Sequence, residues 1–109
     1  MTTLPDRRLF DLHASVCRAL ADPKRVQLMV LLRNGDRSVQ ELAAQLEVSP
    51  SNLSQHLAVL RRSFLAGCTR VGGRTRYHLA NGKFAQAFDL FEEALAEELA
   101  RRARVLGRP

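Results

Sequence analysis

Cysteine is scarce: the 109-residue chain holds two, Cys17 and Cys68. Two thiols make neither a disulfide framework nor a four-cysteine zinc site. Long apolar runs are missing as well. The longest spans Leu28 to Leu32, against the roughly 20 residues that a membrane-crossing helix needs. The opening segment MTTLPDRRLFDL carries two arginines and no apolar stretch, so no secretory signal is expected. There is no glycine-rich phosphate loop, no nucleophile in a recognisable setting and no carboxylate pair in pocket-like surroundings. An enzyme is therefore not expected, and no cofactor is implied. Acidic side chains are outnumbered, 11 against 17 Lys and Arg, for a net charge of +6. That excess points to a polyanionic partner, nucleic acid first and a membrane surface second. A length of 109 residues suits one domain, 1–109, and not two. A domain of this size covers its apolar surface incompletely, so an oligomeric interface is a natural supplement. These limits describe a small cytoplasmic binding protein.

What is present is punctuated at regular intervals, with no internal repeat. Asp22-Pro23 joins a capping acceptor to a proline at the first helical position, a strong start for a helix over about 23–33. Its apolar residues lie on several sides, which places it centrally, and Asn34-Gly35 stops it. Ser38 and Glu41 read as a capping box, followed by Val39, Leu42, Ala43 and Leu46 on one helical face. Ser49-Pro50 starts the next helix, whose buried side carries Leu53, Leu57 and Leu60. Two short helices joined by a turn of about three residues make a helix-turn-helix.

After Leu65 the period changes to two. Cys68 to Val71 and Arg74 to Leu79, with Gly72-Gly73 between, read as a hairpin. Thr75, Tyr77 and Leu79 would share one face, and Arg74, Arg76 and His78 the other. Such a hairpin directly after a helix-turn-helix is a wing. The expected fold is mainly α with this small hairpin, in the order α-α-α-α-β-β-α. The first and last helices, about 6–20 and from about Gly82, carry apolar stripes beyond what the core requires. We read Leu9, Leu12, Val16, Phe88, Phe91 and Leu95 as a dimer interface.

A reading helix enters the major groove with its N-terminal turns against base edges. Ser51, Asn52, Ser54, Gln55 and His56 occupy those turns, with Ser54 nearer the buried side. Asn and Gln suit adenine, and Ser suits several bases, which favours a sequence-specific regulator over the alternative of a non-specific or architectural DNA binder. The helix start at Ser49 favours a phosphate. Arg70, Arg74 and Arg76 on the wing suit phosphates or a narrow minor groove, with Arg61 and Arg62 adding backbone contacts. His78 is expected at the surface or on DNA. Arg101, Arg102, Arg104 and Arg108 follow an acidic stretch of the last helix, an order that its dipole explains without DNA. The same acidic stretch argues against a membrane-surface helix. His13 and Cys17, four apart, could begin a metal site completed across a dimer or by Cys68. The plainer alternative has Cys17 packing as a small hydrophobe. With a two-residue turn, Cys68 faces the same side as Tyr77 and is partly covered. Both thiols are candidate sensors.

Three segments, RALADPKRVQLMVLL (18–32), SVQELAAQLEVSPSNLSQHLAVLR (38–61) and GGRTRYHL (72–79), together resemble the ArsR/SmtB transcriptional repressors. The resemblance spans roughly 18–91. It implies a homodimer joined by its first and last helices, double-stranded DNA with a pseudo-palindromic operator as partner, and an inducer that lowers affinity. Three effector sites of that family are missing. Ser38 and Gln40 stand at the positions of an early thiolate pair. Asn81, Lys83, Ala94 and Glu97 stand where the last-helix zinc site would be. Val30 lies near the first cysteine of a persulfide-sensing pair, and the last helix has no cysteine. Phe64 replaces a common glycine at the end of the reading helix, so the turn into the wing is expected to be reshaped.

Overall fold

The computed structural model describes residues 6–107, which leaves Arg108 outside. Each helix starts where an acceptor side chain can satisfy an unpaired backbone N–H. Asp6 accepts from the Arg8 N–H at 2.8 Å and opens α1, Arg7–Ala19. Asp22 does the same for Lys24 at 2.8 Å and opens α2, Pro23–Leu32. After a turn at Gly35 come β1, Arg37–Ser38, and α3, Val39–Leu46. The expected capping box is complete: Ser38 Oγ accepts from the Glu41 N–H, and Glu41 Oε1 accepts from the Ser38 N–H, each at 3.1 Å. Glu47 then takes a left-handed backbone, φ 56. Ser49 caps α4, Pro50–Arg62, by accepting from the Asn52 N–H at 3.2 Å. The chain continues through β2, Ala66–Val71, β3, Arg74–Leu79, and α5, Lys83–Val105.

The sheet has three strands rather than the expected two. Its order is β1-β3-β2, with Arg37 opposite Tyr77 and Ser38 opposite Arg76. A two-residue strand has too little alternation to be seen in sequence, and its partner lies far along the chain. Because β3 is central, the expected division into a covered and an exposed face fails, and Thr75 through Leu79 are all half-buried. His78 is therefore not a free surface residue. It lies opposite Gly67, where a Cβ would come within 2.7 Å of its Nε2. The hairpin turn is as expected, with positive φ at both Gly72 and Gly73, the requirement of a type I′ turn.

Between α4 and β2 the turn is not reshaped by Phe64. The Leu65 N–H reaches the Leu60 carbonyl at 2.9 Å, and the Phe64 N–H reaches that of Arg61 at 3.2 Å. This is the Schellman pattern, and Leu60 and Leu65, both buried, supply its hydrophobic contact. Phe64 adopts the left-handed conformation, φ 64, that a glycine would take freely.

Leu28 and Met29 of α2, Leu42 of α3, and Leu53, Leu57 and Leu60 of α4 are fully buried, with Leu65 beside them. This core holds the helix-turn-helix rigidly. Ala19 of α1 joins this core, and Val16, Phe84 and Phe88 of the terminal helices pack against it, but no residue of α5 is fully buried. The radius of gyration is 16.5 Å, against about 13 Å for a compact chain of this length.

Candidate nucleic-acid interface

Burial of Leu53, Leu57 and Leu60 fixes the rotation of α4 and turns its other side outward. Ser49, Ser51, Asn52 and Gln55 are all exposed there. Ser54 is exposed too, contrary to the expectation that it lies nearer the buried side. Its hydroxyl donates to the Pro50 carbonyl at 2.9 Å, a back-bond that folds it against its own helix. His56 is half-buried, with Nδ1 3.4 Å from Nη1 of Arg25 on α2. Arg61, exposed in the last turn of α4, shares a cleft of about 500 Å³ with Arg62 and Cys68.

The wing arginines divide. Arg74 is exposed at the hairpin turn. Together with Gln40, near the start of α3, it lines a cleft of about 550 Å³. The sequence marks Gln40 only as a missing thiolate, because its nearness to the wing depends on the β1–β3 pairing. Arg70 folds back, donating to the Gly73 carbonyl at 2.7 Å. Arg76 donates to Glu41 Oε1 at 3.1 Å and to the Asp36 carbonyl at 2.8 Å, which fastens the wing to the start of α3. The Glu41 carboxyl is held below its usual range, first by the Ser38 N–H, then by the Ser38 hydroxyl and the Arg76 charge. The Asp22 carboxyl is likewise lowered, chiefly by the Lys24 N–H.

Between α1 and α5 runs a largely apolar groove of about 390 Å³, lined by Val16, Leu20, Phe84, Phe88, Phe91 and Leu95 among others. Leu9, Leu12, Phe91 and Leu95 are exposed, whereas Val16 and Phe88 lean on the core. His13 and Cys17 also line this groove, and Cys17 is exposed rather than packed away. Cys68 is half-buried opposite Tyr77, as the short turn required. Both thiols are free. Among the described residues no three of His, Cys, Asp and Glu gather to hold a metal, so Cys68 does not complete the His13–Cys17 pair. No described helix is long and apolar enough to cross a membrane.

Residues 22–63 match the family model described as bacterial regulatory protein, arsR family. The chain is similar to the HTH-type transcriptional regulator Rv0081 of Mycobacterium tuberculosis, 36% identical over 90% of this chain and 87% of that protein. The Rv0081 crystal structure superposes with a TM-score of 0.78 at 34% identity, covering 93% of this chain and 99% of that one. The regulator CmtR of the same organism is 40% identical over 76% of this chain and 71% of its own length; its structure is described as that of a cadmium metal-sensor. The homodimeric winged helix-turn-helix DNA-binding domain Mb0332 of Mycobacterium bovis aligns with a TM-score of 0.81 at 31% identity, covering 93% of this chain and 95% of that one. With a helix-turn-helix core, a wing, and relatives matched along most of its length, this chain belongs to the ArsR family of bacterial transcriptional regulators.

Proposed function

We propose that this protein is a homodimeric, sequence-specific DNA-binding repressor that reads a pseudo-palindromic operator, one half-site per protomer. The observation that carries this reading is the outward face of α4, where Ser51, Asn52 and Gln55 stand exposed on a rigid leucine base. These side chains discriminate base edges better than they neutralise phosphates. Ser49 at the helix start, Arg61 at its end and Arg74 on the wing supply phosphate contacts. Arg70 releases Gly73 to reach the backbone, while Arg76 contributes by holding the wing in place.

The dimer is supported by the exposed apolar residues of α1 and α5, and by the homodimeric state of Mb0332. A signal that lowers affinity acts at that interface. Cys17 is exposed within the α1–α5 groove beside His13, so oxidation of its thiol or a metal shared between protomers would alter the packing directly. Cys68, beside Arg61 and Arg62, is the second candidate thiol.

The test is fluorescence anisotropy with duplex from the gene's own upstream region and with a scrambled duplex, under reductant. A gap of about a thousand-fold or more is expected. If genome-wide selection of bound fragments also returns no preferred sequence, the protein is a general DNA binder and this reading fails. Replacing both cysteines by serine should leave reduced-state binding intact and abolish any response to oxidant. Collapse of binding in the reduced double variant would make the thiols structural.

A further inference from the structure

A contact in the α1–α2 corner belongs to neither the reading face nor the core. Arg25 sits early in α2, with its side chain 18% exposed. Its Nε donates to the carbonyl of Ala19, the last residue of α1. Its Nη1 lies 3.4 Å from His56 Nδ1 on α4 and 3.9 Å from Oδ2 of Asp22, the residue that caps α2. One guanidinium thus touches the end of α1, the start of α2 and the reading helix. A guanidinium can only donate, so in this contact Nδ1 of His56 is the acceptor. The planar fork holds its donors in fixed directions, so satisfying both acceptors sets an orientation as well as a distance.

Among Ser49, Ser51, Asn52, Ser54, Gln55 and His56, His56 alone is half-buried. We propose that His56 is a positioning residue rather than a base reader, and that Arg25 is the clamp that sets the angle of α4 against α1. This rests on the DNA-binding dimer reading above. Two reading helices must meet major-groove half-sites about one helical turn apart, and their angle to the dimer helices decides whether both can do so at once. Loosening the clamp therefore weakens binding to a complete site without changing which bases are preferred. The contacts that choose bases, at Ser51, Asn52 and Gln55, are untouched.

The experiment compares the full-length protein with Arg25→Gln, Arg25→Lys, His56→Ala and the Arg25→Gln/His56→Ala double variant. Each is titrated against the selected duplex, its single-base-pair variants and a half-site duplex, with thermal unfolding as a fold control. Each single replacement should weaken the complete site by about tenfold, and the double should be no weaker than the worse single, as expected for groups acting as a unit. Base-pair preferences should be unchanged and half-site binding little affected. Arg25→Lys should behave like Arg25→Gln, because one ammonium cannot serve acceptors on two helices in the geometry of the fork. Losses that multiply to about a hundredfold overturn the clamp, as does full rescue by lysine. Relaxed preference at one base pair in His56→Ala alone makes His56 a reader instead. If Arg25→Gln does not fold, the base-pair profile of His56→Ala decides by itself. A wild-type protein with no preference among duplexes overturns the DNA-reading proposal, and the clamp falls with it; discrimination by the wild type with multiplying losses overturns the clamp alone.

Discussion

Phe64 carries a left-handed backbone and is 60% exposed as a residue. That conformation costs an L-residue roughly 1–2 kcal/mol, and glycine avoids the cost while gaining freedom in the unfolded chain. Phe64→Gly is therefore expected to stabilise the protein by up to about 1 kcal/mol, a rise in Tm of several degrees for a domain of this size. An unchanged or lower Tm would show that the covered part of the ring contributes more than the strain costs. Glu41 makes a second residue-scale prediction. Its carboxyl is depressed in the folded state by the Ser38 N–H, the Ser38 hydroxyl and Arg76. A depressed folded-state value stabilises the fold above the usual carboxylate range and loses that contribution as pH falls through the folded value. Glu41→Gln should flatten the acid side of the stability profile below about pH 4.5, as read from urea midpoints; a slope equal to wild type would mean the capping box is not linked to folding. Glu41 and Ser38 were legible because their interaction is local. Arg25–His56 and Arg76–Glu41 were not, since each pair joins residues more than 30 positions apart.

At the scale of elements, caps and stripes carried the reading. Asp22, Ser38 and Ser49 open their helices as the sequence implied, and the leucines of α4 fall on one buried side. Ser49→Ala removes the cap of the reading helix and should cost about 1 kcal/mol, with weaker DNA binding because the first turn frays where Ser51 and Asn52 must be held. Equal affinity for wild type and variant would show that the turn is ordered by other means. On the wing, the tip differs from the base. Arg74→Ala should reduce the salt dependence of binding by about one released counterion while leaving base preference alone. No change in salt slope would place Arg74 off the DNA. What sequence could not supply was β1, whose residues pair only with a distant strand, and with it the coupling of wing to α3.

At the scale of the molecule, a protomer measuring 51 × 46 × 21 Å is flat and spread for its length. The terminal stripes were legible as excess apolar surface, and the structure leaves Phe91 and Leu95 exposed on α5. Replacing both by glutamate should leave the helix-turn-helix folded and give a monomer in light scattering, with operator affinity reduced by at least a hundredfold. A variant that stays dimeric would move the interface elsewhere. Directly after α2, at its C-cap, Arg33 donates to Asp89 at 2.7 Å and stands 3.7 Å from Glu92, an ion-pair link between α5 and the centre of the fold.

The absence of any buried residue along the 23 residues of α5 has a consequence for abundance. Most of a helix's stability in a protein comes from packing of its apolar face, and on α5 only Phe84 and Phe88 lean on the core while Phe91, Leu95 and Leu99 stay exposed. In the proposed dimer, coverage of that face and pairing of protomers form one equilibrium, governed by mass action. Below the dissociation constant, the complete species grows as the square of the total protein. For the proposed dimeric repressor, halving the copy number would then remove three quarters of the operator-competent species, so operator occupancy would respond steeply to synthesis and dilution.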